Sequence, residues 1–160
     1  MSLLQYARIA FVAISLAFPL QIAKSYQTEE LLKQTRHTVS DLYCLTKNIY
    51  FEARGESYKG KLAVAQVTMN RVQHPSRWAD NVCDVVYQRI KGRPQFSWVD
   101  MPNLKVLDQK AWNEAKDIAY GVITGSLYIS NFTYMHFHNT TVQFAQKFKH
   151  SKTIGNHVFY

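Results

Sequence analysis

Two cysteines, Cys44 and Cys83, are all that the 160 residues hold. So small a supply excludes a disulfide-knit scaffold, and no Cys/His spacing suits a structural zinc site. A chain of this length buries a hydrophobic core without such staples. Long apolar runs are also missing. The longest, Ile9 to Ala23, has 15 residues, short of the roughly 20 that a helix needs to span a bilayer. Acids are scarce too, 11 against 19 Lys and Arg. The basic residues are scattered along the chain without a recognised nucleic-acid motif, so most form a solvated face and nucleic acid is not the expected partner.

Residues 1–25 have the anatomy of a targeting segment. Arg8 precedes the apolar run, Pro19 weakens a helix within it, and Ala23 and Ser25 supply small residues at −3 and −1 of a cleavage after Ser25. The expected organisation is an export signal over 1–25, or a signal anchor if it is retained, followed by one catalytic domain over 26–160. The expected location is periplasmic or in the cell envelope, with transient membrane contact through the N-terminal segment. Removing 1–25 leaves 17 of the 19 basic residues against all 11 acidic ones, a net charge of +6. A basic exported monomer suits an anionic partner such as a phospholipid surface or a polyanionic cell wall. In that compartment Cys44 and Cys83 are either a single disulfide or two buried thiols, and spacing alone does not choose between them.

Most of the helical signal lies in the first two thirds of what remains. A polar lead-in covers 26–40, with a short helix around Glu29 to Gln34. Leu42, Leu45, Ile49 and Glu52 then fall on one helical face, at i, i+3, i+7 and i+10. Ser40 and Asp41 are cap-type residues before this stripe, and Gly55 is able to end the helix in the left-handed conformation. A second helix is expected over Tyr58 to Val72, capped by Ser57 and apolar almost all round, the mark of a central buried helix. Gln66 and Asn70 interrupt it at i, i+4 and either brace the core or reach a polar cleft. A short third helix follows Asp80-Asn81 and buries Val82, Val85 and Val86. Residues 89–107, with Gly92, Pro94 and Pro102, read as a long irregular loop of the functional kind. A fourth helix starts at Asp108 and ends near Gly125. Tyr134, His136 and His138 alternate with Met135 and Phe137 as in a strand, and residues 154–160 read as another. The expected class is α+β, mostly α, with a small antiparallel β region near the C-terminus.

Glu52 stands where the apolar stripe calls for a leucine. A carboxyl there is costly to ionise, so its pKa rises toward the range of a general acid. The plainer reading pairs Glu52 with Arg54 or Lys59 at the surface, a role that Glu56 fits better. Gln95-Phe96-Ser97-Trp98 combines aromatic and short polar groups, suited to stacking on sugar rings or to plugging the loop down.

The ordered set of Asn48-Ile49-Tyr50-Phe51-Glu52-Ala53-Arg54-Gly55-Glu56, Gly60, Ala63-Val64-Ala65-Gln66-Val67, Asn70-Arg71-Val72, Val82-Cys83, Val85-Val86-Tyr87-Gln88, Gln95-Phe96-Ser97-Trp98, His136-Phe137-His138 and the final Ile154-Gly155 with His157-Val158-Phe159-Tyr160 resembles the cell wall hydrolases of the spore-cortex-lytic (SleB-like) type. The resemblance covers about residues 42–160. It implies a lysozyme-like helical core, peptidoglycan as substrate, and one essential glutamate, Glu52, cleaving the glycan strand without metal or cofactor. It leans toward lytic transglycosylation. Gln66, Asn70, Phe96, Ser97, Trp98, Tyr134, His136 and His138 are the implied substrate-side residues. Departures from the family pattern fall in Val99-Asp100-Met101-Pro102, in Phe137 between the two histidines, and in Val142-Gln143-Phe144-Ala145. Two other classes stand beside this reading. One is a zinc amidase using His136, His138 or His157, and the other is a non-catalytic wall-binding module stacking sugars on Phe96 and Trp98.

Overall fold

The computed structural model describes residues 24, 26–32, 38–142 and 148–160. Apart from Lys24, the proposed export signal lies outside these residues, as does most of the Val142-Gln143-Phe144-Ala145 departure. No helix among the described residues is long and apolar enough to cross a membrane. The chain divides into two compact units, Met1–Val39 and Ser40–Tyr160. In the first, 26–32 are helical and exposed, in keeping with the expected polar lead-in.

The second unit is mostly α with a small antiparallel β region, the class expected. Helix α1 is described from residue 38 and ends at 53. Residues 38–40 are already helical, so Ser40 and Asp41 do not cap it. The Asp41 carboxylate instead accepts the Cys83 backbone N–H at 3.1 Å. Gly55 lies in the turn after the helix and does not take positive φ, unlike Gly92, Gly125 and Gly155. The buried side of α1 carries Leu45, Ile49, Tyr50 and Ala53 together with Thr46 and Asn48.

Helix α2, Tyr58–Val72, has the expected bounds and cap, with the Ser57 hydroxyl accepting from the Gly60 N–H at 3.3 Å. It packs against α3 (Val82–Tyr87), α4 (Gln109–Ile123) and the strand Lys152–Ile154, and is the axis of the core. The buried Lys61 of α2 pairs with the more exposed Glu114 of α4 at 2.6 Å. Asn81 caps α3 and Asp108 caps α4, each accepting a backbone N–H of the first turn. The buried Tyr50 hydroxyl accepts the Leu107 and Asp108 N–H groups at 3.1 and 3.0 Å, tying the start of α4 to α1.

Residues 89–107 are less irregular than expected. Strands β1 (Arg89–Ile90) and β2 (Arg93–Pro94) form a hairpin, and a 3-10 turn covers Ser97–Asp100. The hairpin turn has positive φ at both Lys91 and Gly92, the conformation that matches the twist of two-residue hairpins. A second sheet has the order β3-β5-β4, all antiparallel, from Phe137–Asn139, His157–Phe159 and Lys152–Ile154. The expected strand over 134–138 is therefore shorter and starts later. Residues 135 and 136 still pair with Tyr160, whose carbonyl accepts both of their N–H groups.

Glu56 fixes this sheet to the helical core. Its two carboxylate oxygens accept the Asn156 backbone N–H at 3.1 Å and the Asn156 side-chain amide at 3.0 Å. A Cβ on Gly155 would collide with that carboxylate. Gly155 is thus required both by its φ of +58° and by the close approach of Glu56.

Cys44 and Cys83 are joined, with Cα atoms 5.2 Å apart, so the alternative of two free thiols falls. The bridge links α1 to α3 across 39 residues, and closing a loop of that length removes on the order of 3–4 kcal/mol of unfolded-state entropy. Replacing both cysteines by serine should lower the urea midpoint, with a loss of stability of about 3–4 kcal/mol and an m-value that rises as the unfolded chain expands. An unmoved midpoint would mean that the bridge does not constrain the unfolded chain.

Candidate functional site

Glu52 occupies the last turn of α1, one residue from the buried Ala53 and beside the half-buried Phe51. It faces a cleft of about 360 Å³ assembled from four further parts of the chain. Helix α2 contributes Arg71, and the segment entering the 3-10 turn contributes Gln95, Phe96 and Ser97. Strand β3 contributes Phe137, His138 and Asn139, and β5 contributes His157. The register that sets Asn139 opposite His157 is what brings the last two to one wall.

Burial raises the Glu52 pKa to about 7, with Arg71 the opposing influence. The carboxyl has no hydrogen bond or ion pair among the described residues, so burial is opposed only by charge acting through space. Glu52 is therefore largely protonated below neutral pH and shared between its two forms near it, in a cleft that also holds a cation. No second carboxylate lines the cleft among the described residues, Glu56 being committed to Asn156.

Arg71 is itself 4% exposed. Its Nε donates to the Met135 carbonyl at 2.7 Å. The guanidinium carbon lies 4.4 Å from the Trp78 ring centre and 5.2 Å from that of Phe96. Burial lowers its pKa to about 10, which leaves it charged at neutral pH. Burial also lowers the pKa values of His157 and of the half-buried His136, so both favour the neutral imidazole.

The other residues expected at the substrate divide into two groups. Phe96, Ser97 and His138 line the cleft with Glu52. Trp98 does not. It is 4% exposed, its indole N–H donates to Asn48 at 3.0 Å, and its ring packs against Phe51 and Tyr87. Of the two roles open to the aromatic loop, Trp98 has the plug. Asn70 also turns inward, donating to the Phe132 and Tyr134 carbonyls at 2.9 Å each. Gln66 donates to Asn70 at 3.1 Å, so this pair braces the segment that leads into β3. Tyr134 packs edge-on against Phe132, and His136 lies between Trp78 and Tyr160. Neither is among the residues that line the cleft.

Arg71, Gln95, Phe137, Asn139 and His157 are cleft residues that the sequence reading did not assign to substrate. Arg71 had a visible signal, a cation on a helix otherwise apolar nearly all round. The β3–β5 register that delivers Asn139 and His157 had none. Among the described residues no three His, Cys, Asp or Glu side chains converge as metal ligands. The zinc reading of His136, His138 and His157 therefore lacks a ligand set there.

Comparisons with known proteins agree with this fold. The spore cortex-lytic enzyme of Halalkalibacterium halodurans is 41% identical over 49 residues, 31% of this chain and 14% of that protein. The chain thus matches only a small part of that curated relative. Among solved structures, the catalytic domain of the germination-specific lytic transglycosylase SleB from Bacillus anthracis aligns at a TM-score of 0.56 and 25% identity. That alignment covers 74% of this chain and 92% of the SleB domain. The catalytic domain of Bacillus cereus SleB aligns at 0.52 and 25% identity over 74% and 88%. The helical core and small C-terminal sheet are the lysozyme-like architecture expected. The cell wall hydrolase family model matches residues 55–160, and with two thirds of its length so matched the chain belongs to the cell wall hydrolase family.

Proposed function

We propose that this protein cleaves the β-1,4 bond between N-acetylmuramic acid and N-acetylglucosamine in peptidoglycan, as a lytic transglycosylase in which Glu52 is both acid and base. The observation that carries the proposal is the solitary, desolvated Glu52 carboxyl in a cleft with no second acid among the described residues. Two-acid glycosidases need a partner carboxylate at a set separation to activate water or to attack the sugar.

In the first step protonated Glu52 gives its proton to the glycosidic oxygen. The bond from that oxygen to the muramic C1 breaks, the N-acetylglucosamine side leaves as an alcohol, and positive charge develops at C1 and the ring oxygen. In the second step the muramic 6-hydroxyl attacks C1, and the Glu52 carboxylate accepts its proton. The product is a 1,6-anhydro sugar, no water is consumed, and Glu52 ends protonated. A pKa near neutrality suits a group that must release and regain one proton in each turnover.

The same reading places the catalytic unit outside the cytoplasm, acting as a monomer in the cell envelope after export by residues 1–25. The Cys44–Cys83 bridge supports this, because such bonds persist in oxidising compartments. The net positive charge favours contact with a polyanionic wall. The role in lysis or remodelling, including that of an endolysin, follows from when the enzyme is released.

Mass spectrometry of the products from purified peptidoglycan treated with residues 26–160 tests the chemistry. Anhydro-muropeptides should appear, and Glu52→Gln should reduce their rate by roughly 10²–10⁴. Reducing-end products would mean hydrolysis, and free stem peptides would overturn glycan cleavage altogether. Because the first step needs protonated Glu52, activity should fall as pH rises through about 7. A rate that climbs across that range would contradict the assignment of Glu52 as the acid.

A further inference from the structure

Arg71 is held more firmly than a core residue needs, and one of its donors is unused. Its Nε is bound to the Met135 carbonyl, and the guanidinium lies against the rings of Trp78 and Phe96. Its Nη1 is buried without a hydrogen-bond partner. A buried, unsatisfied donor on a cation is costly, yet this one belongs to a side chain that lines the same cleft as Glu52. Arg71 and Glu52 come from different helices, α2 and α1, and each influences the other's charge.

We propose that Arg71 is a positioning residue for the cleavage reaction: a fixed cation in the same cleft whose charge steadies the Glu52 carboxylate through space each time Glu52 has given up its proton. The inference rests on the proposed transglycosylase chemistry, in which one carboxyl must survive briefly as an anion in a largely buried position. With no cation beside it, that anion would be high in energy, and the proton would return to the leaving sugar. A preorganised cation stabilises the charge when it appears and needs no rearrangement to do so. The protonated acid, being neutral, gains less, so Arg71 acts mainly after the transfer.

Other charged and titratable groups face this pair. His138 on β3 and His157 on β5 line the cleft, and Glu56 acts on His157. Tyr160, at the end of the sheet, acts on Arg71, and Arg77 beyond α2 opposes it. His136 lies under the influence of both arginines. Arg71 is the only one of these whose opposing effect on Glu52 is resolved.

The test is a titration of the Glu52 side-chain carboxyl by carbon NMR in the native protein and in Arg71→Met. Loss of the cation should move the Glu52 midpoint upward by about one pH unit. The alkaline limb of peptidoglycan cleavage should move with it, while kcat drops and KM stays close to the native value. Arg71→Lys, which keeps the charge, should restore the limb toward the native position. An unmoved midpoint in folded Arg71→Met would overturn the proposal. If Arg71→Met does not fold, the guanidinium nitrogen resonances of Arg71 in the native protein decide instead. They should shift with the Glu52 midpoint and lose that shift in Glu52→Gln, and resonances that stay flat would overturn the proposal. None of these NMR readouts requires turnover, so a protein that fails to cleave peptidoglycan would refute the function while the pairing is still measured.

Discussion

The costly placement of one carboxyl governs the rest of the structure. Glu52 sits on the inward stripe of α1, where ionisation is opposed by burial and helped only by the charge of Arg71. An arrangement of that kind persists only if its surroundings are held by other means. The Asn48–Trp98 and Tyr50–Asp108 bonds fix the helix that carries Glu52, and Cys44–Cys83 ties the same helix to α3. Together they let the last turn of α1 retain an acid that local energetics would turn toward water.

Two glutamates four residues apart have opposite fates because the helix ends between them. Glu52 is still helical and shares the direction of Ile49 and Leu45. Glu56 follows the turn at 54–55 and reaches away to the Gly155–Asn156 turn of the sheet. One is left neutral in a cleft, and the other spends its charge on two hydrogen bonds that position the opposite wall of that cleft. Since β5 carries His157 and is joined to β4 by this turn, the structural glutamate helps to build the site that the other glutamate serves.

The elements with strong local signals were legible in the sequence. Helix α2 has its predicted bounds because a long apolar run follows a Ser cap, and Asp108 announces α4 in the same way. The hairpin at 89–94 escaped because strands of two residues leave no periodicity to read. The start of α1 was misplaced because Asp41 looks like its cap, while its actual bond is to Cys83, 42 positions away. Glu52 could be found because a buried acid breaks a helical pattern. Trp98 could not be placed by composition, since its acceptor Asn48 lies 50 positions earlier. Asn70 was open to either of two roles, and its bonds to the carbonyls of residues 132 and 134 settle it as a brace. Cleft residues delivered by strand register lay beyond any local pattern.

The central claim is that Glu52 is kept protonated by burial, and its direct test is folding stability against pH for the native protein and Glu52→Gln. A carboxyl with an ordinary pKa of 4.5 when unfolded and about 7 when folded makes the folded state bind the extra proton between those values. Stability is therefore lost as pH rises from 4.5 to 7, and the loss is complete above 7. Glu52→Gln carries no such penalty, so its urea-derived stability should exceed the native value by about 3 kcal/mol more at pH 8 than at pH 4. A difference that does not change between the two pH values would show that Glu52 ionises freely, and it would remove the acid on which the proposed chemistry depends.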